Sequence, residues 1–218
     1  FSVVNVAGLD ASKIRAFSIS GIKGLDAVDI AQLTSNQLLN LRTEQLAALN
    51  AGQVGSLTPS YIEILASAGI SAIASNSITG LKSSQIISVT INAIPGFTAE
   101  QVAALSSAQV NAFLSTQIQQ LNTSQIESLS SSSIRGLSTQ QVIAMPTALI
   151  KSISTAAVAG LQADQVNSFT SEQIRAFTPT QFGELTTRQL SALNSAFLGR
   201  LSSSQIGAIS SQKIAGLT

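Results

Sequence analysis

A large apolar residue recurs at every eighth position of this chain, from Phe1, Leu9 and Phe17 through Leu201, Ile209 and Leu217, and the register never slips in 218 residues. A second apolar position lies five residues further on. It runs Val6, Ile14, Ile22, Ile30 and Leu38 to Ile206 and Ile214, and is Val, Ile, Leu or Phe in all 27 octads. A repeat with no insertion or deletion leaves no linker, so residues 1–218 read as a single continuous octapeptide-repeat solenoid. One long α-helix is disfavoured, because eight residues at 100° each leave the apolar stripe turned by ~80° per octad. A plain strand would put the first and sixth positions on opposite faces.

The polar positions name a smaller element. Position two is Ser, Thr, Asp or Asn in 21 of 28 cases, and position five is Gln in 14 of 27. Ser/Thr-x-x-Gln is the capping box, in which the hydroxyl accepts the N–H three residues on and the Gln carbonyl accepts the cap's own N–H. The apolar residues just before the cap and four after it are positions one and six, the pair that closes a hydrophobic staple. Two checks agree with this phase. Pro59 and Pro179 fall on the first helical residue, where a missing N–H costs nothing. Seven of ten acidic residues lie at positions two to five and six of eleven basic residues at positions seven or eight, matching the two ends of a helix dipole.

Each octad therefore predicts a helix from position three to eight followed by a turn. Helices this short do not persist alone and must stack, so the expected fold is all-α: a solenoid of about 27 eight-residue repeats, each one short capped helix plus a turn. Position eight is Gly, Ala or Ser in 21 of 27 octads, which predicts close backbone approach at each corner. Five position-one phenylalanines (Phe1, Phe17, Phe97, Phe113 and Phe177) fall in alternate octads, hinting at two octads per turn. The competing architecture is a β-solenoid with stacked Gln side chains.

Irregular octads stand out against this background. Pro95 and Pro146 predict locally distorted helices, and residues 57–80, with Tyr61, Ile64, Ala66, Gly69 and Ala74, read as losing both cap and Gln while staying in phase.

Composition narrows the chemistry. With no Cys and no His, the chain has no thiol nucleophile, no disulfide and no imidazole base or metal ligand. Ser and Thr are abundant because they cap helices, and no Gly-rich phosphate loop, acidic calcium loop or nucleophile elbow occurs. No catalytic, cofactor-binding or metal-ligating residue is nominated, no cofactor is expected, and the chain reads as a non-enzyme. Eleven basic against ten acidic residues give a net charge of +1, which argues against nucleic acid as a partner. No apolar stretch approaches the ~18 residues of a membrane span, so no transmembrane segment is expected.

Two resemblances follow from particular residues. Residues 57–67, Leu-Thr-Pro-Ser-Tyr-Ile-Glu-Ile-Leu-Ala-Ser, resemble the opening of a transcription activator-like effector repeat, but that family's longer period, paired variable dipeptide and basic stripe are missing. Across the whole chain, segments such as Leu105-Ser-Ser-Ala-Gln-Val, Leu121-Asn-Thr-Ser-Gln-Ile and Leu185-Thr-Thr-Arg-Gln-Leu resemble the Leu-Ser/Thr-x-x-Gln-Ile/Val octads of bacterial exported low-complexity repeat proteins of the adhesin-like or surface type. That resemblance implies secretion, a filamentous or stalk role and no active site.

The termini bear on assembly. Solenoids normally end in polar capping repeats, whereas Phe1, Val3, Val4 and Val6 open this one and Ile214 and Leu217 close it in register. The expectation is a segment of a longer array or a filament subunit. Its function is then structural: an extracellular or cell-surface fibre, sheath or adhesin stalk that self-associates end to end or laterally. The alternative is a repeat scaffold binding a peptide or carbohydrate on one face.

Overall fold

The sequence of caps and staples folds as its spacing predicts. In a computed structural model that describes residues 6–214, every regular element among them is a short α-helix or a single 3-10 turn, and none is a strand. The β-solenoid alternative is thereby set aside. Helices such as Ala11–Ala16, Ile19–Gly24, Ala99–Ala104 and Ser171–Ala176 run from position three to position eight of their octads. Others stop a residue or two earlier, as in Ser35–Leu39 and Ala51–Val54.

Most of the α-helices begin on an extended residue whose side chain accepts the N–H three residues on. Thr98 accepts from Gln101 at 3.2 Å, Ser106 from Gln109 at 3.2 Å and Thr178 from Gln181 at 3.2 Å. Pro59 and Pro179 occupy the first helical residue. The six-residue helices end on the next position-one residue, which in most of them is again extended and donates its N–H to the position-six carbonyl three residues back, as Phe17 does to Ile14 at 3.2 Å. One residue thus terminates a helix, fixes the following cap and buries its side chain. Positions one and six form the interior: Ile14, Ile22, Val54, Ile126 and Phe182 are fully buried, and Leu49, Leu185 and Leu190 nearly so.

The chain divides into two compact units, residues Phe1–Leu105 and Ser106–Thr218. Within the first, Ala11–Ala16 packs on Ser35–Leu39, which packs on Pro59–Ile64, which packs on Ser83–Ser88. Within the second, Thr139–Ala144 packs on Ala163–Ser168, and Pro179–Glu184 on Ser203–Gly207. Every one of these pairs is three octads apart. The alternate-octad phenylalanines therefore misled: each unit coils with more than three octads per turn, not two. Phe1 itself lies outside the described residues, as do Val3, Val4 and Leu217.

Small residues at position eight serve close approach. A Cβ on Gly80 would stand 1.9 Å from the carbonyl oxygen of Ala51, and one on Gly136 would stand 1.9 Å from that of Ser107. Gly24, by contrast, faces open space. No described glycine takes a left-handed φ, so packing and not C-capping selects them.

The irregular octads adjust locally. Pro95 sits within the 3-10 turn Ile94–Gly96, and Pro146 precedes a helix shortened to Thr147–Ile150. Octad 57–64 departs from expectation by keeping its cap, since Thr58 accepts from the Tyr61 N–H at 3.2 Å. Ala66 has no side chain to offer, and residues 73–80 form only the 3-10 turn Ile78–Gly80.

Candidate functional site

The buried polar groups of this protein are almost all glutamine side chains at position five. Gln45, Gln85, Gln101, Gln173 and Gln181 are each at most 2% exposed. A buried carboxamide must have its hydrogen bonds satisfied or it costs stability. Within its own octad the Gln oxygen accepts the cap N–H, as predicted: Thr34 to Gln37 at 2.7 Å, Ser138 to Gln141 at 2.7 Å, Thr170 to Gln173 at 2.8 Å.

The other end of the side chain does something the capping reading missed. Gln37 Nε2 donates to the carbonyls of Val6 at 2.7 Å and Leu9 at 2.6 Å, which are 31 and 28 residues earlier. Gln53 donates in the same way to Ile22 and Leu25, Gln101 to Ile70 and Ile73, Gln173 to Val142 and Met145, and Gln189 to Val158 and Leu161. The acceptors are a position-six carbonyl and the position-one carbonyl that follows it, joined for Gln37, Gln45, Gln141 and Gln173 by a longer bond to the position-seven carbonyl between them. The position-six carbonyl already accepts the position-one N–H and gains a second bond, while the position-one carbonyl lies beyond the helix end. Each Gln therefore starts its own helix and finishes one in the turn below. Offsets of 28 and 31 residues place each turn between three and four octads long.

The ladder does not depend on the hydroxyl caps. Where position two is Arg42, Lys82, Leu114 or Gln162, the Gln three residues on still accepts that residue's N–H, at 2.7–2.8 Å. Retention of Gln in octads that have lost Ser or Thr was the signal, present in the sequence, that the carboxamide has a second task. At the far end of the second unit Lys213 takes the ladder position, and its ammonium donates to the Gly183 carbonyl.

The ladder is broken where position five is not Gln. Tyr61 fills its site with a ring that is 1% exposed, and burial pushes its hydroxyl above the ordinary tyrosine range. Ser77 is too short to reach back and instead donates to the Asn76 Oδ1 at 3.2 Å. Beside it lies an open groove of about 950 Å³ whose lining includes Ala47, Leu49, Ala51, Ala74, Asn76 and Ser77. Ser133 preserves the within-octad half of the arrangement, accepting the Ser130 N–H at 2.9 Å.

Titratable chemistry is thin. Among the described residues there is one ion pair, Lys13 with Asp10 at 3.2 Å, and no group of acidic residues suited to a metal ion. The Asp10 carboxyl is lowered to about 2 by hydrogen bonds from the Ser12 hydroxyl and the Lys13 backbone N–H, with the Lys13 ammonium adding to the effect. Glu100 is lowered by its own backbone N–H and by the Thr98 hydroxyl, as suits a carboxylate in a first helical turn. No helix among the described residues is long and apolar enough to cross a membrane. No family model matches the chain, and no curated protein matches it.

Proposed function

We propose that this chain is a structural repeat protein, a spacer that forms an extracellular or cell-surface fibre, sheath or adhesin stalk. The observation that carries the reading is the use made of buried polarity. The carboxamides that elsewhere line binding or catalytic sites are consumed here in joining one turn to the next. Such a ladder stiffens a coil without offering reactive groups to a substrate, which supports a non-enzymatic role. The octad resemblance to exported adhesin-like repeat proteins points to the same localisation, and a surface of hydroxyls and amides with few charges suits contact between like surfaces.

The proposed self-association is end to end or lateral. Electron microscopy and sedimentation of the purified chain over a concentration series test the proposal. Rods that lengthen or bundle as concentration rises are expected. A monomer that stays dispersed at every concentration contradicts the assembling role and leaves the one-face binding scaffold as the better reading.

A further inference from the structure

A net charge near zero conceals a local segregation in the second unit. Position seven forms an exposed ridge in most octads, with position eight mostly half-buried beside it, although Arg200 at position eight is exposed. Moving along that ridge by three octads at a time from residue 127 gives Glu127, Lys151, Arg175 and then, one residue further on, Arg200. Three cations thus follow one another in successive turns. The helix Thr147–Ile150, which ends at Lys151, packs on Ser171–Ala176, which contains Arg175. Arg175 and Arg200 line one groove with Ser202 and Gln205. Lys151 lines a neighbouring groove with Glu127, Ser154, Thr155 and Thr178.

Two other cations of this unit are used by the fold, since Arg135 Nε donates to the Gly160 carbonyl at 3.1 Å and Lys213 to Gly183, while Arg188 lines a separate groove with Asp164. Lys151, Arg175 and Arg200 have no ion pair among the described residues, although Glu127 shares the groove of Lys151. Residues 25 apart touch across turns, as the Arg135 contact shows, so Arg175 and Arg200 are neighbours of like charge. Like charges at that range repel unless an anion lies between them.

We propose that this ridge binds a linear acidic polysaccharide, with a carboxylate at each cation and sugar hydroxyls on the flanking Ser and Thr side chains. Charge spacing selects this class over nucleic acid. Packed helices lie ~8–10 Å apart, so the ridge offers one cation per turn at about that interval. Duplex DNA carries a charge about every 1.7 Å and calls for a denser basic surface. Neither groove is lined by an aromatic ring on which a base would stack. The inference does not rest on the spacer reading, since a ridge of this kind would serve a monomer equally.

The test uses the full chain and polygalacturonate as probe, with binding followed by titration calorimetry in ~0.02 M and ~0.5 M salt. The wild-type chain is expected to bind at low salt and to release the polymer at high salt. The triple variant Lys151→Gln, Arg175→Gln, Arg200→Gln is expected to lose at least ~tenfold in affinity, and Arg175→Gln alone about threefold. A matched variant elsewhere, Lys13→Gln, Lys23→Gln, Lys82→Gln, has the same net charge and is expected to bind as the wild type does. Circular dichroism checks that each variant is folded, and the single substitution stands in if the ridge triple is not. The proposal is overturned if the wild type does not bind, if the two triples lose affinity equally, or if single-stranded DNA binds more tightly than polygalacturonate.

Discussion

Residues 33–56 and residues 57–80 are adjacent sets of three octads in one unit, and they differ throughout at position five. The first set carries Gln37, Gln45 and Gln53, each bonded to carbonyls one turn back. The second carries Tyr61, Gly69 and Ser77, and makes no such bonds. Helix formation barely notices: Pro59–Ile64 and Ser67–Ala72 are as long as any helix in the protein, and only residues 73–80 relax to a 3-10 turn. The apolar interior is equally continuous, with Ile62, Ile70 and Ile78 fully buried. Caps and staples therefore make the helices, while the Gln ladder sets how one turn registers on the next. Its interruption does not open the turns at Gly80, where a Cβ would still meet the Ala51 carbonyl, although an open groove lies beside Ser77.

The largest effect should come from breaking the ladder where it is intact. Gln45→Leu removes the partner of the Arg42 N–H and one of the donors to the Ile14 and Phe17 carbonyls, which keep bonds from the Phe17 N–H and the Arg42 guanidinium. Leaving the Arg42 N–H unsatisfied and placing an apolar side chain against two carbonyls should lower stability by about 3 kcal/mol in urea unfolding. Next is the close approach at Gly80. Gly80→Ala drives a methyl into the Ala51 carbonyl and should cost ~1–3 kcal/mol, whereas Gly24→Ala, facing open space, should be neutral or mildly stabilising.

A gain of function sharpens the comparison. Ser77→Gln places a carboxamide beside an existing groove, within the register that leads to the Leu46 and Leu49 carbonyls, 31 and 28 residues earlier. It should stabilise the chain by ~1 kcal/mol, measured by the same unfolding curves. Loss of one cap, Ser106→Ala, should cost about as much, ~1 kcal/mol.

The smallest effect concerns pH. The folded Asp10 carboxyl is depressed from 3.8 to about 2, so its contribution is present above pH 4 and is lost as pH falls from 4 towards 2. Asp10 is fully exposed, so the change should be slight. It should vanish in Asp10→Asn, as read from the acid limb of thermal melts at low and high salt.

Much of this architecture was legible because it is local. The phase of Pro59 and Pro179, the cap residues at position two and the apolar pair at positions one and six all concern contacts within eight residues, and each fell where the spacing put it. Close packing at position eight was legible too, since Gly80 and Gly136 meet backbone directly. What could not be read was the length of a turn. That is fixed by the reach of a Gln side chain to carbonyls 28 and 31 residues away, and a repeat of eight carries no mark of which earlier octad lies underneath. The phenylalanine spacing filled that gap wrongly, because Phe and Leu are exchangeable at a position that needs only bulk. The charged ridge was equally hidden, since Lys151, Arg175 and Arg200 become neighbours only once the turn length is known.

The most direct test of the ladder is nuclear magnetic resonance of the glutamine side-chain amides. The Gln173 Nε2 protons should show nuclear Overhauser contacts to residues 142 and 145 and exchange slowly with solvent, as two donated hydrogen bonds require. Contacts to residues about two octads back, with exchange as fast as that of the exposed Gln212, would contradict it.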